Sequence, residues 1–240
     1  MKGVILAGGT GTRLYPLTRI YNKHLLPIGQ KPMILYAIEK LREAGITDML
    51  LVIGKQSAGL YMDFLGSGAQ WDVNLTYKIQ EKAGGIAEAL ALAEHFIPDG
   101  EKFVVLLGDN LFQDSLTPHI DIFQKQPLGA RVLLKKVADA RRYGVPTIVE
   151  GKITAIVEKP ERPPSDYCVT GIYFYDTEVF TMIQSVAPSA RGEMEISDVN
   201  NRYAAEGRLT FGIIAGWWTD AGTFASLRDA GNQLGEEGPS

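Results

Sequence analysis

One cysteine among 240 residues, Cys168, excludes an internal disulfide. A lone thiol in an apolar run reads as a core residue and fits a reducing compartment. Histidine is scarce too. His24, His95 and His119 stand apart, with neither metal-ligand spacing nor a nucleophile–base pair, and read as surface residues. No serine or cysteine occupies a nucleophile elbow, so nothing suggests covalent catalysis. No apolar stretch reaches the length of a membrane span, and no secretory h-region precedes the first glycines. A cytoplasmic protein is the expectation. Positive charge is not in excess either: 24 Lys and Arg face 28 Asp and Glu, for a net charge of −4. That balance argues against a general nucleic-acid binder and points to small-molecule partners.

What is present begins at once. Gly3-Val4-Ile5-Leu6-Ala7 is a short apolar strand that runs into Gly8-Gly9-Thr10-Gly11-Thr12-Arg13-Leu14. Glycine amides after a buried strand can approach a phosphate closely. The loop is neither of the two commonest phosphate loops. A Walker loop needs Gly-Lys-Ser/Thr where Thr12-Arg13 stands, and the dinucleotide fingerprint needs a third glycine where Leu14 stands. A dinucleotide-dependent oxidoreductase is therefore excluded. Leu6, Ala7, Gly8, Gly9, Gly11, Thr12 and Arg13 form a candidate nucleotide site that ends in a fixed cation.

Apolar runs at 2–7, 48–53 and 102–107 read as strands buried on both faces. Between them lie helical patterns: one opened by Pro32 and ending at Gly45, a short one capped by Ser57, and an alanine-rich one over 86–96 after Gly84-Gly85. The alternation predicts a parallel sheet covered on both sides, with ligands beyond the carboxyl ends of its strands. After about residue 130 short strands and tight turns take over, among them 131–137, 147–150, 153–158 and 169–175. Helical patterns return at 195–206 and 223–234. No linker, repeat or low-complexity stretch divides the chain. It reads as one domain over 1–234 with two lobes, 1–130 and 131–234, and a tail over 235–240.

Several constellations carry chemistry, each beside a plainer reading. Lys23, in Asn22-Lys23-His24-Leu25-Leu26-Pro27, supplies with Arg13 two cations for a triphosphate and a departing pyrophosphate, where the plainer reading is a turn with two ordinary surface cations. Asp109 and Asp220 are two carboxylates of the kind Mg²⁺ uses when phosphates complete its octahedron. Taken singly, Asp109 equally fits a turn, and Asp220 a helix cap over Gly222 and Thr223. Lys159 suits a phosphate and Glu158 sugar hydroxyls, though a charged turn before Pro160 accounts for both. Gly144 after Tyr143, and Gly171 in Val169-Thr170-Gly171-Ile172-Tyr173, offer either turns or close backbone approach to a ligand. Gln80 has one donor and one acceptor to set against a nucleobase edge, and equally fits a polar strand end.

Together these motifs resemble the sugar-1-phosphate nucleotidylyltransferases, most closely the branch that joins dTTP to glucose 1-phosphate. The match runs over nearly the whole chain, through the glycine loop, Asn22–Pro27, Gly108-Asp109-Asn110, Arg142-Tyr143-Gly144-Val145, Glu158-Lys159-Pro160, Arg191-Gly192-Glu193-Met194-Glu195-Ile196 and Trp218-Thr219-Asp220-Ala221-Gly222-Thr223. The resemblance implies a Rossmann-like three-layer α/β/α fold with a mainly parallel mixed sheet and a smaller sugar-binding β lobe. It implies a nucleotide lobe over 1–130 and a sugar-phosphate lobe over 131–234. It also implies Mg²⁺ on Asp109 and Asp220, Arg13 and Lys23 at the phosphates, and Asp109 in the nucleotide site. Gln80 and Gly85 would read the base. Lys159, Glu158, Asn110, Tyr143, Gly144, Val169 and Tyr173 would surround the sugar phosphate.

Members of the longest type continue well past the position of Asp220 with helices that build subunit contacts and a second nucleotide site. The resemblance carries neither to this shorter chain, which leaves a homo-oligomer open. Gly84 departs from the aspartate common in close relatives. The rival readings are the same reaction with UTP, CTP or another sugar 1-phosphate, and a non-catalytic nucleotide-sugar-binding protein.

Overall fold

The computed structural model describes residues 1–236. Seven strands form one sheet: β1 (Lys2–Ala7), β2 (Asp48–Gly54), β3 (Asn74–Gln80), β4 (Phe103–Leu107), β5 (Ala130–Lys136), β6 (Tyr167–Tyr175) and β7 (Leu209–Ile213). Their order in space is β7-β5-β6-β4-β1-β2-β3. β1 pairs in parallel with β2 and β4, β2 with β3, and β5 with β7, while β6 runs against both β4 and β5. The sheet is thus mixed and mainly parallel, as the resemblance implies.

Helices follow as α1 (Met33–Glu43), α2 (Ala58–Leu65), α3 (Ile86–Ala91), α4 (Thr117–Lys125), α5 (Glu178–Gln184), α6 (Ile196–Ala205) and α7 (Phe224–Glu236). Successive side chains of a strand point to opposite faces, so an all-apolar strand needs a cover on each. Val4 and Leu6 of β1 join one core with Leu90 of α3, Val179 of α5 and Tyr203 of α6. Ile5 and Ala7 join the other, with Ile38 of α1, Tyr61 of α2 and Phe123 of α4. The result is a three-layer α/β/α sandwich. A third, smaller core sets Ala230 of α7 against Ile28, Met33 and Ala221.

Several boundaries differ from the sequence reading. α1 begins at Met33, with Pro32 just outside it, and Ser57 precedes α2 without making a capping hydrogen bond. α3 stops at Ala91 rather than Phe96. Beyond it the chain tightens into i→i+3 bonds, Ala93 N to Leu90 O and Phe96 N to Ala93 O. Those turns bring Ile97 into the core, and Lys2 Nζ fastens the Phe96 carbonyl at 3.0 Å. α7 runs to Glu236, so Gly235 and Glu236 are helical rather than tail; 237–240 lie outside the described residues.

Two small ribbons shape the ligand edge. The strands Gly144–Val149 and Lys152–Glu158 form an antiparallel hairpin turned by Glu150 and Gly151, both at positive φ (49° and 74°). That is the twist a two-residue hairpin turn demands. Asn201 of α6 pins this hairpin with its amide, which accepts from Ile156 N at 2.6 Å and donates to Ile156 O at 2.9 Å. The other ribbon pairs Asn110–Phe112 with Trp218–Asp220 and sets Asp220 opposite Asn110.

Candidate active site

β1, β2, β3 and β4 all end at one edge of the sheet, and β6, running the other way, begins there. Above that edge lies a cleft of about 510 Å³. Its wall includes Leu6, Gly8, Gly9, Arg13, Lys23, Gln80, Gly85 and Asp109 from the first half of the chain. The second half contributes Tyr143, Gly144, Glu158, Lys159, Val169, Tyr173 and Asp220, and Asn110 lies between the two sets. Three expected residues stand behind the wall instead. Ala7 is fully buried, and its carbonyl accepts from Tyr61 Oη at 3.4 Å. Thr12 opens a short 3-10 turn. Gly11 sits beneath that turn at φ +69°, where a β-carbon would lie 2.8 Å from Thr18 Cγ2 and 2.9 Å from Lys23 Cβ. Only glycine allows both the conformation and the approach of Lys23.

Lys23 is bonded to the Asp109 carboxylate, and both side chains are nearly nine-tenths buried. Burial alone would raise the Asp109 pKa, but the Lys23 ammonium and the Asn110 amide, which donates at 3.1 Å, hold it well below the usual carboxylate range. Asp220 goes the other way: burial and the negative charge of Asp109 raise its pKa. The two carboxylates are thus close enough to repel one another, and Ala221 N bonds Asp109 O at 2.9 Å across the ribbon. Gly222 N donates to Asp220 Oδ1 at 2.8 Å, so the helix-cap geometry and the site coexist in one residue. Arg13 lies 3.9 Å from Asp220, with its side chain 56% exposed.

Elsewhere in the cleft lining Glu158 accepts from Ser197 Oγ at 2.6 Å, and Lys159 Nζ lies 3.5 Å from Glu158 Oε1. Lys159 adopts φ +46°, unusual for a lysine, where the chain leaves the hairpin and its N–H bonds Tyr143 O at 2.9 Å. Tyr143 packs edge-on against Trp218 with ring centres 5.5 Å apart, and burial followed by the Asp220 charge pushes its hydroxyl up to about 12. Gly171 lies in a register shift of β6 and donates its N–H to Asn110 Oδ1 at 2.8 Å. The close approach expected of that glycine is therefore made by Asn110. Trp218 Nε1 donates to the same oxygen at 2.8 Å, so the Asn110 amide is held on three sides by its own chain.

The nucleotidyl transferase family profile matches residues 2–237. The chain belongs to that family. A glucose-1-phosphate thymidylyltransferase of Neisseria meningitidis is 41% identical over 234 residues, covering 96% of this chain and 81% of the relative. A structure of a candidate glucose-1-phosphate thymidylyltransferase from Bacillus anthracis superposes with a TM-score of 0.93 at 52% identity, over 97% of this chain and 94% of that one. A UDP-glucose pyrophosphorylase complexed with UDP-glucose gives a TM-score of 0.86 at 27% identity, over 98% of each chain.

Within this nucleotidyltransferase cleft, two features escaped the sequence reading. His24 is buried, not at the surface. Burial and the neighbouring Lys23 charge lower its pKa to about 3, and its ring Nδ1 lies 2.8 Å from Asn22 Oδ1. It is a neutral strut under Lys23. Arg191 lines the cleft beside Glu158 and is held by Glu195 at 2.8 Å; its motif was visible, but an isolated arginine carries no local sign of its place.

Cys168 matches its reading. It is fully buried, and burial pushes its thiol up to about 12. In the folded protein at pH 8 it stays a thiol, so a disulfide reagent should react about a hundredfold more slowly than with the unfolded chain. Equal rates would contradict the burial.

Proposed function

We propose that this nucleotidyltransferase moves the thymidylyl group of dTTP onto glucose 1-phosphate, giving dTDP-glucose and pyrophosphate. One observation carries the reading: a single cleft is lined by a glycine loop, two cations and two acids together with Glu158 and Lys159. The names of the relatives support the choice of base and sugar. We read residues 1–234 as one catalytic domain, working in the cytoplasm.

In this reading a phosphate oxygen of glucose 1-phosphate attacks the α-phosphorus of dTTP in line. The new P–O bond forms as the bond to the β-phosphate oxygen breaks, and that oxygen leaves with the electron pair as pyrophosphate. Lys159 holds the attacking phosphate. Glu158, kept in place by Ser197, takes hydroxyls of the sugar, with Tyr173 and the Gly144 and Val169 backbones around the ring. Lys23 faces the α-phosphate oxygens, and Arg13 draws off charge building on the leaving group. Asn110 serves chiefly to orient Asp109. Gln80 and Gly85 face the base.

Asp109 and Asp220, two buried carboxylates that already feel one another's charge, are a hard-oxygen pair fit for Mg²⁺. When bound there it would neutralise phosphate charge as the displacement proceeds. No protein nucleophile is needed. Orientation and electrostatics supply the rate.

The test is pyrophosphate release over four triphosphates and several sugar 1-phosphates. We expect dTTP with glucose 1-phosphate to give the highest kcat/KM. A maximum at UTP would favour the pyrophosphorylase-like reading, for which the UDP-glucose structure speaks. No turnover with any pair would favour a binding protein.

A further inference from the structure

Glu88 lies in the first turn of α3 and belongs to no motif in the sequence reading. It does not project into solvent. Its carboxylate folds back over Gly84, so that a β-carbon built on Gly84 would lie 1.4 Å from Glu88 Oε2. Glu88 thus fills the space that any side chain at Gly84 would take. From that place Glu88 Oε1 accepts from Gln80 Nε2 at 3.4 Å, and Gly85 O lies 3.5 Å from the same nitrogen.

Both neighbours at that end of the Gln80 amide are acceptors, one of them charged. The NH₂ group must therefore face them, and Oε1 must face the other way. There it packs against the phosphate loop, where a β-carbon on Gly8 would lie 2.2 Å from it. No described residue donates to that oxygen. The charged Glu88 takes one N–H, while the other, with only the neutral Gly85 carbonyl at 3.5 Å, is the donor left to a ligand; the buried Gln80 thus presents a fixed order, donor on the α3 side and acceptor on the Gly8 side.

That order has a chemical reading. Thymine and uracil present an acceptor at O4 and a donor at N3–H. Cytosine presents the reverse, a donor at N4 and an acceptor at N3. For a base held in one place, turning the Gln80 amide by 180° exchanges the first code for the second. We propose that Glu88 is a positioning residue that locks the Gln80 amide in the imide-reading orientation and so sets the preference of the site for thymine and uracil over cytosine. The proposal rests on the reading of Gln80 as the base reader.

Three substitutions separate the possibilities. In Glu88→Gln, either end of the new amide can face Gln80, so both orientations become available. In Glu88→Ala the anchor is lost and only Gly85 O remains. In Glu88→Lys a donor faces Gln80 and favours the turned amide. The readout is kcat/KM with dTTP, UTP and dCTP at saturating glucose 1-phosphate, with circular dichroism to confirm folding. We expect the dTTP:dCTP ratio to fall about 10–100-fold in Glu88→Gln and further in Glu88→Lys. The dTTP:UTP ratio should hold, because the two bases share the same imide edge.

A loss of contact that merely loosened α3 would lower all three rates together. If the parent enzyme prefers dTTP and all the variants keep its dTTP:dCTP ratio, the proposal is overturned while the base-reading role of Gln80 stands. A parent enzyme with no preference for pyrimidines overturns that role, and the proposal with it.

Discussion

Replacing Asp109 by Asn should lower kcat/KM by about 10²–10³. The carboxylate does two things that an amide cannot do together. It carries the charge that fits a divalent cation with Asp220, and it is the counter-charge of Lys23, buried beside it. Removing one member of a buried pair leaves the other uncompensated, which typically costs ~3–5 kcal/mol of stability. Here the open cleft can hydrate Lys23, so the cost should fall at the low end of that range. Measuring Mg²⁺ dependence at a temperature well below the unfolding transition separates the two effects. If the metal role is right, the Mg²⁺ concentration for half-maximal rate rises sharply in Asp109→Asn and Asp220→Asn alike. Should Asp220→Asn titrate like the parent, the pair is not a metal site. Asp109 would then act on Lys23 alone.

The difference between these two aspartates also shows what the sequence could and could not reveal. Asp109 is legible because a buried strand, Phe103–Leu107, announces its own end, and ligands gather at such ends. Asp220 gives no such sign. It belongs to a three-residue strand whose partner, Asn110–Phe112, lies over a hundred residues earlier, and strands that short have no period to detect. Their pairing is decided by tertiary contacts such as Trp218 on Asn110, not by propensity. The sheet itself was easier. Continuous apolar runs declare burial on both faces, and the reversed β6 fits the short-strand texture of the second half. His24 was misread because its isolation in the chain says nothing of its burial; the Asn22 oxygen that meets its ring is itself held by Tyr61, which arrives only on folding. Glu88 was missed because a glutamate in the first turn of a helix is ordinarily an exposed dipole partner.

Arg13→Ala should lower kcat by about 10²–10³ while changing KM for dTTP only a few-fold. The argument turns on where the guanidinium sits. In the proposed reaction Lys23, buried and already engaged by Asp109, would meet the nucleotide whether or not reaction proceeds. Arg13 is more than half exposed and 3.9 Å from Asp220, with no closer bond among the described residues to give up. Such a group is free to follow charge that develops on the departing pyrophosphate, and interactions made only as the bond breaks appear in kcat. Its exposed ion pair contributes little to the fold, so the variant should unfold with the parent. Arg13→Lys should recover only part of the rate, because a point charge cannot form the two-pronged bond to phosphate oxygens that a guanidinium makes. Steady-state kinetics in both directions checks the assignment. A variant with parental kcat and a raised KM would show that Arg13 grips the ground-state triphosphate and leaves the transition state to Lys23.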